Sequence, residues 1–326
     1  MKIINASVEI LPPVSMDEPS ILKRIERCGR ICYKSERRIT EDSAKSFVQN
    51  IITRGHEAVL EHGELCFMVS SVLWIPLKAG IEEVKDRFGA NIFLRSTGIE
   101  NRRVVSGNIR AWRDYIRAFW ALRGYAPPCL MTLTNRYPAL FGDLSRYFNG
   151  PPFIMRSGDM IAVDPFTLPT LIEQRTHATR TVIFTCDRGV SHEFVRHRPA
   201  AYCQESTRYC NYSKAQFGGD ITVIRPLFFD KGTPVYRIWE NSCKIAETAY
   251  FDLLSEGCSP QEARSVLPNS LKTELAMTAT LAQLFHFFLQ RCGAGAHPQA
   301  REVATQALGK LCDDMPQHFN EVREAL

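Results

Sequence analysis

The chain has 326 residues, of which 45% are hydrophobic and 23% charged, and it carries a net charge of +5. Such values describe an ordinary globular protein with room for an ample core in one large domain or two small ones, and they exclude a disordered or fibrous chain. The mild basicity suits anionic small molecules and is too weak to argue for a nucleic-acid partner.

No apolar run approaches the length of a membrane span, and Met1-Lys2-Ile3-Ile4 reads as the opening of a strand rather than a signal peptide, so a cytoplasmic location is expected. Eleven cysteines form an odd set with no C-x-x-C pair, which points to reduced, mostly buried thiols rather than a metal or disulfide framework.

Residues 2–11 are rich in Ile and Val and predict a strand, and residues 21–32 have helical spacing. Thr40-Glu41-Asp42 leads into a second helix over 43–53, and residues 65–69 read as a buried strand. A segment from about 78 to 180 then separates this strand from a β-branched run at 181–186. It holds a helix at 108–122 and a Pro- and aromatic-rich stretch with prolines at 127, 128, 138, 151, 152, 165 and 169. Loops and short pieces are expected there, forming a surface excursion or lid. Residues 239–257 predict an amphipathic helix stopped by Gly257, and Ser259-Pro260-Gln261-Glu262 reads as an N-cap with Pro at the first helical position. Leu271, Leu275, Leu281, Leu284, Phe285 and Phe288 predict one long helix over 270–290, and Pro298 sets off a last helix at 299–311.

The densest chemistry lies at Arg196-His197-Arg198, followed by Tyr202, Gln204, Glu205, Ser206, Thr207, Arg208 and Tyr209. That much donor capacity suits an anion with hydrogen-bonding edges, such as a nucleotide; the plainer alternative is a solvated basic corner. In an extended strand Arg196 and Arg198 share one face and His197 points to the other, so one strand would serve two ligands. An activated Ser206 would need a base within reach, and the alternation turns His197 away, so Ser206 reads as a binding residue.

R-H-R followed after seven residues by Ser resembles the signature of the flavin-dependent thymidylate synthases. Four further stretches resemble that family in the same order: the histidine-rich residues 54–62, the approach at 187–193, Glu262-Ala263-Arg264-Ser265-Val266-Leu267-Pro268, and Arg291 with the segment 296–302. The resemblance covers roughly the N-terminal quarter and the C-terminal half. It implies an α/β (α+β) fold with a central mixed or antiparallel sheet and long helices, here one domain over 1–326 interrupted by the insertion. It also implies reductive methylation of dUMP to dTMP, with methylenetetrahydrofolate as carbon donor, FAD as hydride carrier and NADPH as reductant. A homotetramer is expected, without membrane or nucleic-acid partners.

By position, the resemblance places Glu193, Arg196, Gln204, Glu205, Ser206, Thr207, Arg208 and Arg264 on the nucleotide, and Arg291 on the uracil carbonyl as the activating residue. His56, Ala58, Arg196, His197, Arg198, Gln204, Thr280, Ala282 and His286 fall at flavin-facing positions. No metal is implied; His56, Glu57 and His62 have weak spacing for zinc. Ala58 stands where a small hydroxyl is usual, Thr280 and Ala282 where Asn and Arg are usual, and Glu193 where Gln is common. Asn108 and Arg110 repeat the missing N-x-R spacing, so they are candidates to supply the flavin contacts; the alternative is that Asn108 only caps a helix. Two other functions stay open: C5 methylation or hydroxymethylation of another pyrimidine nucleotide, and a catalytically silent nucleotide-binding relative that has lost FAD.

Overall fold

The computed structural model describes residues 1–88, 94–99, 102–150, 159–214 and 217–326. The strands are β1 (Lys2–Ile4), β2 (Ser7–Leu11), β3 (Glu64–Ser70), β4 (Arg95–Ile99), β5 (Arg102–Asn108), β6 (Met160–Ala162), β7 (Thr179–Asp187), β8 (Ala201–Gln204), β9 (Thr222–Ile224) and β10 (Lys272–Thr280). They fall into two compact units, one formed by Met1–Pro12, Gly29–Arg37 and Arg180–Leu326, the other by Pro13–Cys28 and Arg38–Thr179.

In the first unit, β2, β7, β10 and β8 lie side by side in that order, and β1 pairs in parallel with β9. β2 runs antiparallel to β7, with Leu11 opposite Thr181, and β8 runs antiparallel to β10, with Leu275 opposite Gln204. The inner strands are buried along nearly their whole length, and their Val, Ile, Phe and Thr residues suit a sheet covered on both faces. The helices Leu281–Arg291, Pro298–Asp314 and Pro316–Glu324 follow β10.

This corrects the expected helix over 270–290. Residues 272–280 are strand β10, and Thr280 ends it by accepting a hydrogen bond from the Gln283 amide at 3.2 Å, which caps helix Leu281–Arg291. An apolar run buried on both sides has no period to separate strand from helix, and the threonines at 273, 278 and 280 were the β-branched signal. The expected last helix also gains a successor, because Pro316 starts Pro316–Glu324 at a first-turn position where its missing N–H costs nothing. Gly257, at φ +93, does stop helix Pro234–Ser255: its amide bonds the Leu254 carbonyl at 3.1 Å and the Cys258 amide that of Leu253 at 3.0 Å.

The second unit is built on the antiparallel order β4, β5, β3, β6. Glu64 stands opposite Asn108, and Phe67 opposite both Val105 and Ala162. Here the segment from 78 to 180 supplies sheet: β5 and β6 flank β3, and β4 lies outside β5. Pro128, Pro138 and Pro165 open short helical turns, whereas Pro151 and Pro152 lie outside the described residues. Trp112, Arg113 and Tyr115 of helix Ile109–Arg123 are fully buried with Phe67, Tyr137 and Phe141. His177, also fully buried, has Ser106 Oγ and Thr97 Oγ1 each 2.8 Å from a ring nitrogen.

Gly63 shows how closely this unit is packed. A methyl group added to it would lie 2.8 Å from Ile25 Cδ1 and 2.9 Å from Ile21 Cγ2. Gly63→Ala should therefore lower stability by about 1–3 kcal/mol, seen as a lower urea midpoint. Gly142→Ala, where an added methyl meets nothing within 4 Å, should leave the midpoint unchanged or slightly raised.

Candidate functional site

Asp187 organises the approach to the arginine motif. Its Oδ1 accepts the Val190 amide at 2.8 Å and caps helix Arg188–Phe194, while Gln299 Nε2 donates to its Oδ2 at 2.7 Å. The helix stops at Phe194, so Arg196, His197 and Arg198 follow in a turn and not in the expected strand. A short helix capped by Asp187 cannot be seen in an alternation of charges. In this turn Arg196 and Arg198 are exposed and His197 is only 5% exposed. The Tyr202 hydroxyl, 2.8 Å from the Phe194 carbonyl and 2.7 Å from that of His197, fastens the turn to β8.

The chain then passes along β8 into residues 204–208. Gln204 Nε2 donates to Ser191 Oγ at 2.7 Å and to Thr273 Oγ1 at 3.3 Å. The Glu205 amide bonds the Glu274 carbonyl at 2.9 Å, and the Ser206 amide that of Cys32 at 3.1 Å. Ser206 Oγ accepts the Arg208 amide at 3.3 Å, Arg208 is exposed, and Arg264 Nη1 donates to Thr207 Oγ1 at 3.4 Å. Glu205 was expected on the nucleotide, but its carboxylate faces inward. It accepts Lys272 Nζ at 2.8 Å and the Tyr212 hydroxyl at 3.0 Å, with Lys34 Nζ at 3.7 Å.

This buried network is electrostatically closed. Burial pulls the Lys272 ammonium down, but Glu205 and Glu274 outweigh it and hold it above its ordinary value. Burial and the Glu205 carboxylate push the Tyr212 phenol far up. Lys272, Tyr212 and Lys34 were not found from sequence. The usable signal was the i, i+2 pair Lys272 and Glu274, which shares a face only in a strand and was hidden by the helical reading of 270–290.

Arg291 ends helix Leu281–Arg291 and meets Glu193. Its Nη1 donates to the Glu193 carboxylate at 2.8 Å, its Nη2 to the Glu193 carbonyl at 2.6 Å, and its Nε is buried without a hydrogen-bond partner. On the same helix, the exposed His286 ring lies 5.7 Å from the His197 ring, and His197 Nε2 is likewise buried without a partner. Burial first, then the neighbouring His286 and Arg291, lower the His197 pKa to about 4. Thr280 is buried at the helix cap and Ala282 is exposed, so neither stands mid-helix as expected.

The remaining candidates belong to the second unit. His56 and Ala58 are exposed at the start of the 3-10 segment Glu57–His62. Asn108 Oδ1 accepts the Ala111 amide at 2.8 Å, the capping role weighed against a flavin contact. Arg110 Nη1 pairs with Glu61 at 2.7 Å and its Nε with Asp114 at 3.3 Å. Both side chains are thus engaged within their own unit. Among the described residues, no group of three or more His, Cys, Asp or Glu side chains is placed to hold a metal ion. All eleven cysteines are free thiols, and no described helix is long and apolar enough to cross a membrane.

The residues around His197 suit a flavin nucleotide. The buried His197 nitrogen has no partner, two exposed guanidiniums adjoin it in sequence, and the exposed His286 ring lies 5.7 Å away, donors and a ring that fit an anionic, planar group.

Residues 174–317 match the family described as "Thymidylate synthase complementing protein". The chain is similar to proteins named flavin-dependent thymidylate synthase. The one from Pyrococcus furiosus is 32% identical over 136 residues, covering 41% of this chain and 55% of the relative. That of Geobacter sulfurreducens is 31% identical over 134 residues, 41% of this chain and 56% of the relative. That of Clostridium tetani is 32% identical over 148 residues, 40% of this chain and 57% of the relative. The chain therefore spans little more than half the length of these relatives. The resemblance carried by the motifs is shown for residues 174–317; the histidine-rich residues 54–62 lie outside that match.

Two expected outcomes follow. Lys272→Met leaves the Glu205 carboxylate buried without its ammonium and should cost about 3–5 kcal/mol in urea unfolding, more than Glu205→Gln. For His197, the unfolded chain takes up a proton near the ordinary histidine value of 6.5, which the folded site refuses until about pH 4. Its contribution is fully present above pH 6.5 and is lost as pH falls towards 4, so His197→Gln should lose less stability than wild type across that window, read from urea midpoints at each pH.

Proposed function

We propose that the chain is a flavin-dependent thymidylate synthase, converting dUMP to dTMP with methylenetetrahydrofolate as carbon donor and FAD, reduced by NADPH, as hydride carrier. The observation that carries this reading is the arrangement around the R-H-R motif, within the matched residues 174–317. Exposed Arg196 and Arg198 flank a buried His197 nitrogen without a partner, and the motif leads into a backbone-pinned turn bearing Ser206 and Arg208 with Arg264 beside it.

In this reading Ser206, Arg208 and the guanidinium of Arg264 hold the nucleotide phosphate, for which a planar fork is well suited. Gln204 orients the turn through Ser191 and Thr273, and Glu205 acts from beneath it through Lys272. Arg291 takes the uracil carbonyl and favours ionisation at N3, which requires its guanidinium to exchange the Glu193 carboxylate for the base. Arg196, Arg198, His197 and His286 hold and orient the flavin. The chemistry that the flavin supplies when bound is hydride delivery. A homotetramer is part of the proposal.

Glu193 favours a second reading. A carboxylate accepts hydrogen bonds and donates none, whereas the Gln common at this position does both. A base with an exocyclic amino group would suit Glu193 better than uracil, which makes dCMP the competing substrate.

The deciding experiment follows NADPH oxidation and product formation by protein reconstituted with FAD and methylenetetrahydrofolate, using dUMP, dCMP and UMP in turn. dUMP is expected to trigger oxidation and yield dTMP, and Arg264→Ala should lower kcat/KM by roughly tenfold to a hundredfold, the scale of one charge-assisted hydrogen bond. Turnover with dCMP alone would install the second reading. Protein that binds dUMP but stays colourless after reconstitution would overturn both and leave a nucleotide-binding protein.

A further inference from the structure

Strand β8 is an edge of its sheet and pairs with β10 on one side alone. Just past its end the Glu205 amide turns inward to the Glu274 carbonyl at 2.9 Å, so the antiparallel alternation sends the Gln204 and Ser206 amides outward. One residue receives both. Cys32, near the end of helix Glu18–Tyr33 and within the first unit, accepts the Ser206 amide on its carbonyl at 3.1 Å and the Gln204 amide on its sulfur. Cys203, on β8 opposite Ala276, bonds the same sulfur, thiol to thiol.

The two thiols differ as a redox pair requires. Cys203 is 3% exposed, whereas Cys32 is half-buried and open to a small solute. The Cys203 hydrogen bond, joined by the Gln204 amide, outweighs burial and the Glu36 carboxylate and holds the Cys32 thiol below its ordinary value. Burial pushes Cys66, Cys129, Cys186 and Cys210 the other way. A sulfur that is accessible, thiolate-prone and already bonded to a second thiol has what oxidation to a disulfide needs. Its position also matters for the turn. Lys34, two residues on, lies 3.7 Å from Glu205, so the end of this helix meets the turn at Glu205 as well as at Ser206.

We infer that Cys32 and Cys203 form a redox-active dithiol, closed to a disulfide by hydrogen peroxide, and that closure unfastens the turn at 204–208. The Cys32 thiolate attacks one peroxide oxygen, the O–O bond breaks and hydroxide leaves, which oxidises the sulfur to a sulfenic acid. The Cys203 sulfur then attacks Cys32, the S–O bond breaks, and the hydroxide departs as water with the Cys203 proton. Both thiols are oxidised and the peroxide is reduced to water. An S–S bond is much shorter than a thiol hydrogen bond, so closure draws the helix end towards β8 and out of the register in which Cys32 and Ser206 meet.

The test treats reduced protein with stoichiometric hydrogen peroxide, alkylates the remaining thiols and maps crosslinks by peptide mass spectrometry, in wild type, Cys32→Ser and Cys203→Ser. Hydrogen exchange over 202–208 and the dUMP dissociation constant are read before oxidation, after it, and after reduction with dithiothreitol. Wild type is expected to form the Cys32–Cys203 crosslink, with Cys32 reacting about fivefold faster than Cys258, the other half-buried thiol. Exchange over 202–208 should then speed, dUMP affinity should fall about fivefold, and both should return on reduction. In Cys203→Ser a dimedone adduct should mark the Cys32 sulfenic acid, and Cys32→Ser should show neither crosslink nor change in exchange. Cys32 oxidised no faster than Cys258, or a crosslink that leaves exchange over 202–208 unchanged, would overturn the inference; both are read in wild type and need no variant to fold. The dUMP readout rests on the functional reading above. Reduced wild type that binds no dUMP would overturn that reading, while the crosslink map and the exchange still decide on the thiol pair.

Discussion

The Glu205 carboxylate, 3% exposed, lies beneath the turn that carries Ser206 and Arg208, and Lys272, Lys34 and Tyr212 close around it. A buried carboxylate costs several kcal/mol unless it is paired and hydrogen-bonded, so the turn keeps its shape only while these partners stay in place. Each comes from a different part of the first unit: Lys272 from β10, Tyr212 from the loop after the motif, and Lys34 from the end of helix Glu18–Tyr33. Lys34 adopts φ +46, a left-handed conformation that a side chain rarely takes, and in it the ammonium lies 3.7 Å from Glu205 and 5.7 Å from the Tyr212 ring centre. With Glu205 and Thr207 turned inward, Ser206 and Arg208 are left on the outer side of the turn. The anchoring is polar throughout, which fixes direction as well as depth.

Much of the fold was legible where a local rule acts alone. The Ser259 N-cap with Pro260 at the first helical position, the Gly257 stop, helix Ile109–Arg123 and the buried strands β3 and β7 each follow from residues a few positions apart. What escaped depends on tertiary burial. Strand β10 is covered on both faces and lost its period; the Arg196 to Arg198 turn depends on a helix whose cap is one aspartate; and β5 and β6 are recognisable as strands only once β3 is there to pair with, as β4 is once β5 is there. The candidate residues of the motif were legible as a group because their chemistry is concentrated in one stretch. Lys272, which holds Glu205 from beneath, is distant in sequence, and its signal, the i, i+2 pair with Glu274, was hidden by the helical reading of 270–290.

Two arginines expected to face a ligand are held by anions of the chain itself. Arg110 sits in an N-x-R pattern that suggested a cofactor contact, yet it pairs with Glu61 and Asp114. Arg291 has the expected place at a helix end but holds both the carboxylate and the carbonyl of Glu193. A charged fork takes whichever anion is preorganised nearest to it, and at both positions that anion belongs to the chain itself. For Arg291 this makes Glu193 a competitor of any ligand, a relation that a Gln at the same position would weaken.

Strand β3 lies between β5 and β6, and five of its seven residues, 64–67 and 69, are buried. Both of its neighbours come from the segment that first reads as an addition to a finished domain. Cutting that segment back to a short link would strip β3 of its hydrogen-bonding partners on each side and bare Leu65, Phe67 and Val69 along two open edges. Such a strand is a template for pairing with other chains. The long segment and the strand it encloses are therefore one folding unit, and a shortened version of this protein would have to rewrite β3 as well as delete its flanks.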